Sequence, residues 1–302
     1  MSDFSPINSI DVPSMVNISD KLKEIKVFPT FPSIVQNVIE ALEDPKSSAR
    51  DLAKRMDASI TSEVLKIANS AYYGTRSFRK IDSIEHAIAV IGFQSLLSIV
   101  LQMPFLKMVA KGGMEFNEKE YLRHTILTAT ISKTLSKHLK LGDPSTLCIS
   151  GIMHDVGKIV IYSLFRKEWK DILKLKAEQG LPSYVAERNV LGINHGTLGG
   201  NILDQWNIPE SIVTSVMYHH EPELAKNHFE SVKCVYLANS LAKALEELIT
   251  DEKDRPIKDK MREKIFESVD VETAKSIVCT DVEDELFITL LEAKSLIRSL
   301  YR

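Results

Sequence analysis

The sequence predicts an all-α fold, and three observations carry that expectation. From about residue 20 onward, apolar residues recur at helical spacing. Helix-starting and helix-breaking residues punctuate the chain between those stretches. No apolar–polar alternation runs longer than a few residues, so strands are not expected, and no internal repeat is present.

Residues 1–19 are polar, carry Pro6 and Pro13, and read as a loose N-terminal arm. Pro32 opens a helix holding Ile34, Val35, Val38, Ile39 and Leu42, which Asp44-Pro45 breaks. Ser48 caps a helix with Leu52 and Ala53. The next helix carries Val64, Leu65, Ile67 and Ala68, and Gly74 follows it. Asn69-Ser70 is expected to cap or turn that helix. Asp82 with Glu85 forms a capping box for a helix ending near Gly92. Residues 20–112 thus form an N-terminal helical subdomain, with its boundary at Lys111-Gly112-Gly113.

Residues 113–250 form the second unit. Asn117 caps a helix running to about Lys140. Asp143-Pro144, a cap followed by proline at the first helical position, starts another, which is expected to end at Gly157. Leu181-Pro182-Ser183, Asn194 and Pro209 open three more, the last ending by Pro222. A long helix spans about Phe229 to Leu248, and Asp251 to Pro256 is a polar break. Residues 251–302 supply two or three closing helices with Val271, Ile277, Leu286, Leu290, Leu291 and Leu296.

Composition narrows the function. With 44% hydrophobic and 26% charged residues over 302 positions, the chain can bury a sizeable core. Lys and Arg number 38 against 41 Asp and Glu, so no basic excess exists to hold a phosphate backbone, and nucleic acid is not expected as a partner. Cys148, Cys234 and Cys279 are odd in number and widely spaced, which fits a reducing cytosol and argues against disulfides or a cysteine zinc site. No signal peptide is expected, because Asp3 and Asp11 interrupt the N-terminus and its first basic residue is Lys21. Ala87 to Leu106 lacks charge and is long enough to span a bilayer. Its polar stripe of Gln94, Ser98 and Gln102, closed by Pro104, marks it instead as a core helix, so no membrane partner is expected.

The chemistry concentrates in one region. Six of the eight histidines lie between residues 124 and 220. Glu120 and His124, four apart, share a helix face. His154-Asp155 ends the next helix within "GIMHDVGKIV", His195 opens another, and His219-His220 ends the one after. Successive helices can therefore aim imidazoles and carboxylates at one centre, as bundles do when they hold metals. Such a donor set suits iron, zinc or manganese. A single helical histidine is more often solvated or satisfied in the core, and His86, His138 and His228 are assigned no role. By itself His195 would be read as structural too. Within H-D-x-G-K, Gly157 provides a sharp turn and a close backbone approach. Lys158 offers a cation for a phosphate oxygen, or simply a charge favourable at a helix C-terminus.

His124, His154-Asp155 and Gly157-Lys158 resemble the HD superfamily of metal-dependent phosphohydrolases. "NHGTLGGNILDQWNIPESIVTSVMYHHEP", "LKIANSAYYG" and "SIEHAIAVIG" narrow the resemblance to the HDOD domain, a bacterial relative of HD-GYP, over about residues 20–240. The resemblance implies an HD-superfamily helical bundle with an additional N-terminal subdomain and a place in bacterial signal transduction. It implies a divalent-metal centre of one or two ions from Glu120, His124, His154, Asp155, His195, His219 and His220. "CVYLANSLAK" puts Asn239 where the pattern has aspartate, and "HHEPELAKNH" lacks the Gly-Tyr-Pro associated with cyclic di-GMP hydrolysis. Asn239 offers only a neutral carbonyl oxygen to a cation.

Two functions follow. One is a cytoplasmic signalling output module whose His-Asp cluster holds a metal and which acts through a protein partner. The other is an active phosphohydrolase or phosphodiesterase on a nucleotide or phosphate ester, with Asp155 and Lys158 as the catalytic pair. No receiver domain, membrane anchor or DNA-binding helix is evident, so the signal is expected to arrive through another molecule.

Overall fold

The structure, a computed structural model, describes residues 61–62, 64–66, 69, 81–91, 96, 100–101, 116–250, 257–278 and 281–300. Among them every regular element is a helix, in keeping with the predicted class. The order is α1 (Ile84–Ile91), α2 (Glu118–Leu139), α3 (Pro144–Met153), α4 (Val156–Leu164), α5 (Arg166–Gln179) and α6 (Ser183–Leu191). Then come α7 (His195–Gln205), α8 (Glu210–Tyr218), a 3-10 turn at Pro222–Leu224, α9 (Phe229–Thr250), α10 (Ile257–Ser268), α11 (Val271–Val278) and α12 (Asp281–Leu300).

Local chemistry starts several of these helices. Asn117 Oδ1 accepts from the Glu120 amide at 3.1 Å, and Asn194 Oδ1 from Thr197 at 2.9 Å. Asp143 accepts from Thr146 at 2.7 Å, with Pro144 behind it at the first helical position. Each bond satisfies an amide that the helix itself leaves unpaired. At α1 the cap is Ser83, whose hydroxyl accepts from His86 N, and not Asp82.

The long helix α2 is the hub. It buries Leu122, Ile126, Leu127, Ile131 and Leu135, and packs against α3, α9 and α12. Burying one such side chain contributes roughly 1.5–3 kcal/mol, which is what holds the bundle together. A second layer is formed by α7 against α8 and α4. Among the described residues, three helices close the chain after position 256, with Ile277, Leu286 and Leu290 buried while Leu291 stays exposed.

Two expectations are corrected along the middle of the chain. The helix that begins at Pro144 ends at Met153 rather than at Gly157. The backbone leaves helical geometry at Asp155 (φ −100°, ψ 7°), and a new helix sets out from Val156. Gly157 therefore sits in the first turn of α4. Its backbone approach is real: a Cβ there would lie 2.0 Å from the His195 carbonyl oxygen. The other correction is α5, which was not expected at all. It follows α4 through buried Phe165 with no side-chain cap and ends at Gly180, where φ is +64°.

Among the described residues one apolar run is long enough to cross a membrane, Pro144–Leu164, and 83% of its most apolar window is buried inside the fold. The uncharged stretch 87–106 lies partly outside the described residues; Leu96, Val100 and Leu101 within it are fully buried. The N-terminal arm, the boundary at 111–113 and the helices placed at 32–53 also lie outside. Asn69 does turn a helix end. Its side-chain amide donates to Leu65 O and Ile81 O, while its Oδ1 accepts from Ile81 N.

Candidate metal centre

The break between α3 and α4 is what builds the site. It leaves His154 and Asp155 fully buried in a turn, projecting toward the start of α7 and the end of α8. Asp155 Oδ1 lies 3.0 Å from His195 Nε2 and 3.9 Å from His219 Nε2. His220 Nε2 comes within 2.9 Å of His195 Nε2. On the other side, Asp155 Oδ2 is 3.4 Å from His154 Nε2 and 3.8 Å from His124 Nε2. The ligand atoms of Asp155, His195, His219 and His220 all fall within 4.8 Å of one another, as do those of His124, His154 and Asp155. The two groups share Asp155.

These residues fit a cation. His154 Nδ1 donates to Gly151 O at 2.8 Å and His219 Nδ1 to Val216 O at 2.7 Å. His195 Nδ1 donates to Glu187 at 2.6 Å. A neutral imidazole that donates through Nδ1 keeps its lone pair on Nε2, and all three Nε2 atoms face Asp155. Buried His219 Nε2 and Asp155 Oδ1 have no hydrogen-bond partner. Lone pairs crowded together without protons between them are costly, and a positive ion is what resolves them.

Burial and neighbouring charges shift these groups in different directions. Burial, then the positive fields of His154 and His195, push the His219 pKa well below the ordinary imidazole value. Burial also lowers His154, and burial with His219 lowers His220. Burial acts against the Asp155 carboxylate, yet His154, Lys158 and His195 outweigh it and hold its pKa well below the usual range. His195 goes the other way: burial would lower it, but Glu187 and Asp155 raise it.

The remaining candidates occupy distinct places. His124 Nε2 donates to Asn239 Oδ1 at 3.1 Å, so Asn239, buried in α9, reaches the centre. Glu120 does not join either group. It is exposed at the cavity mouth and accepts from the Asn117 side chain at 3.0 Å, because its place in the first turn of α2 sets it a full turn outward from His124. Lys158 pairs with Asp155 at 2.6 Å. It lies in the first turn of α4, so its reading as a C-terminal helix charge is corrected. His86 and His228 stand away from the centre, near Asp82 and Glu210. His138 is not merely solvated: with Lys137 it binds Glu285 and ties α2 to α12.

Sequence reasoning missed Glu187, a buried carboxylate that accepts both the His195 backbone N–H and its Nδ1–H. Its only signal was an acidic residue beside apolar positions in α6. Also missed were Tyr184, stacked on His220 at 4.4 Å, and Glu246, 3.5 Å from His124 Nδ1. A cavity of about 360 Å³ opens over the centre, lined among others by Asp155, Lys158, Glu187, Lys176 and Lys243.

The HDOD domain family model matches residues 28–222. An uncharacterized protein of Treponema pallidum (strain Nichols) is 22% identical over 236 residues, covering 76% of this chain; the chain spans only 44% of that protein's length. The solved structure of a "putative phosphohydrolase" from Shewanella amazonensis SB2B is similar with a TM-score of 0.62 at 17% identity, covering 93% of this chain and 97% of that one. A "putative signal transduction protein" from Marinobacter aquaeolei VT8 also gives 0.62, at 18% identity, over 97% and 68%. At these identities the structural likeness speaks for the fold.

Proposed function

This chain belongs to the HDOD domain family, and from that premise we propose that it is a cytoplasmic output module of bacterial signal transduction, built around a divalent-metal centre and acting through a protein partner. The observation that supports the centre is the orphaned pair, His219 Nε2 and Asp155 Oδ1, among imidazoles whose Nδ1 atoms are already committed. Asp155, His195, His219 and His220 would hold one ion of iron, zinc or manganese. His154, His124, Asp155 and, more weakly, Asn239 would hold a second. In this reading the ion knits α2, α3, α7 and α8 together, and its occupancy is the property that a partner senses.

A second reading is a metal-dependent phosphohydrolase, and Lys158 beside the open cavity favours it. When bound, the ion would supply Lewis acidity and a water of pKa near 7. The chain itself would contribute Lys158 Nζ to steady a phosphate oxygen, and Asp155 to hold that ammonium in place.

Elemental analysis of purified protein tests the centre, beside an Asp155→Ala control. One or two equivalents in the wild type, lost in the variant, is the expected result. Wild-type protein that stays metal-free after reloading with each of the three metals would end both readings of the centre. Release of phosphate from a panel of nucleotides and phosphate esters then separates them: turnover that needs Lys158 favours the hydrolase, and none favours the module.

A further inference from the structure

One wall of the cavity is built differently from the rest. Trp169, Ile172, Leu173 and Lys176 of α5 and Ser183 and Glu187 of α6 line it from one side. These two helices form a hairpin that turns at exposed Gly180, where φ is +64°. The hairpin is thinly buried. α5 buries only Trp169 and Ile172, and α6 only Ala186, Glu187 and Leu191, whereas α3 buries every residue from Leu147 to Met153. Elements with so few buried apolar contacts open at a lower cost than the fold as a whole.

Both ends of the hairpin can bend. Phe165, between α4 and α5, leaves helical geometry (φ −124°, ψ 53°). Gly192, after α6, sits at φ +77°, which glycine adopts freely. Residues at the ends of elements are where hinges absorb a change of direction. Near its first end the hairpin is anchored by Trp169, whose ring meets Tyr162 edge-on at 5.6 Å.

Its other side is fastened by one face of α6, which carries Tyr184, Glu187 and Arg188 at i, i+3 and i+4. Tyr184 stacks on His220 with ring centroids 4.4 Å apart. Glu187 accepts from both the His195 amide and its Nδ1–H, at 2.7 and 2.6 Å. Arg188 pairs with Glu221, the residue after His220. All three contacts thus land on a ligand candidate or its chain neighbour.

We propose that the α5–α6 hairpin is a hinged wall of the cavity, latched to the His195–His220 half by Tyr184, Glu187 and Arg188, and drawn shut when that half holds a cation. The proposal rests on the centre proposed above, and says how its occupancy reaches the surface of the molecule. A cation on Nε2 of His195 makes the Nδ1–H a stronger donor to Glu187, and fixing the His220 ring gives Tyr184 a stationary partner. The cation then favours the closed wall by the same factor by which the closed wall favours the cation.

Hydrogen–deuterium exchange of the full chain tests it, in EDTA and with saturating Zn²⁺, with metal content measured on the same samples. Zn²⁺ should slow exchange across 166–191 by about tenfold. The slowing should include α5, which supplies no ligand candidate. α10 and α11 supply none either and should slow far less, which separates a latch from general stabilisation by a bound ion. Arg188→Gln removes one latch contact and no ligand candidate. In EDTA it should speed exchange over 166–191 about two- to fivefold, as the loss of a half-exposed ion pair does, with metal content unchanged. Arg188→Lys, which keeps the charge, should restore most of the protection. Slowing by Zn²⁺ that is equal in 166–191 and 257–278, or confined to α7 and α8, overturns the proposal. So does an Arg188→Gln hairpin that exchanges at the wild-type rate. Protein that binds Zn²⁺ without slowing the hairpin sinks the latch and spares the centre. Protein that takes up no metal, while Arg188→Gln still loosens the whole hairpin, sinks the centre and leaves the hinge standing without its ion.

Discussion

The two halves of the centre share Asp155 but are prepared differently. On the His195–His219–His220 side, two of the three rings have Nδ1 committed outward, and an Nε2 and a carboxylate oxygen are left unpartnered. The third ring, His220, is held by stacking on Tyr184, with Arg188 and Glu221 paired close by. On the His124–His154 side, His124 Nε2 spends its proton on Asn239 Oδ1. One half therefore lacks a partner that an ion would supply, while the other closes on itself through a neutral amide. The difference lies in one residue: the Asn239 amide satisfies the neighbouring His124, whereas nothing among the described residues satisfies His219 Nε2.

The hardest blow to that comparison is Asp155→Asn. It removes the charge common to both halves while keeping their shape, and elemental analysis should show both emptied. Retention of a full equivalent would mean that the halves do not depend on the shared carboxylate. Glu187→Gln should act on one half only. It removes the anion that orients His195 and should weaken metal affinity by about 10–100-fold, read by competition with a chelator. Equal weakening after Gln substitution at Glu246, beside His124, would erase the asymmetry.

Asn239→Asp sharpens the contrast from the other side. It replaces the closing amide with a carboxylate and should raise the metal content or affinity of the His124–His154 half, by about tenfold if the new charge is fully used. No change would place residue 239 outside the site in function. The smallest effect concerns pH. The pKa values of His154, His219 and His220 are lowered in the folded chain, so below the ordinary imidazole value near 6.5 the unfolded chain takes up protons that the folded one refuses. Stability in EDTA should then be full above about pH 7 and fall as the pH drops toward 5. His195, whose pKa is raised, offsets part of this. A thermal midpoint constant over that window would contradict the burial of neutral rings.

What the sequence made legible was whatever local chemistry controls. Asn117, Asp143-Pro144 and Asn194 start helices through bonds to amides three residues on, so their positions were readable. The break at Asp155 was not, because no proline or polar run marks it; tertiary contact with α7 imposes it. The same holds for α5, which starts from a buried phenylalanine. At the site, the histidines and Asp155 were visible from spacing and resemblance. Glu187 was hidden because a buried carboxylate looks like a solvated one until its partner is known. Glu120 shows the converse: sharing a helix face with His124 did not bring it to the same depth. His138 read as an ordinary helical histidine without a role, because Glu285, which it binds, lies far along the chain.

Gly157 has a consequence for what the centre can accept. Because the main chain of α4 touches the main chain of α7 there, with no room for even a methyl group, the distance between the Asp155 turn and His195 is a dimension of the scaffold rather than of any rotamer. Side chains nearby can be exchanged without resizing the gap. An ion held there, as proposed, would meet a spacing set by two backbones in contact, and widening that spacing would take a change of helix path.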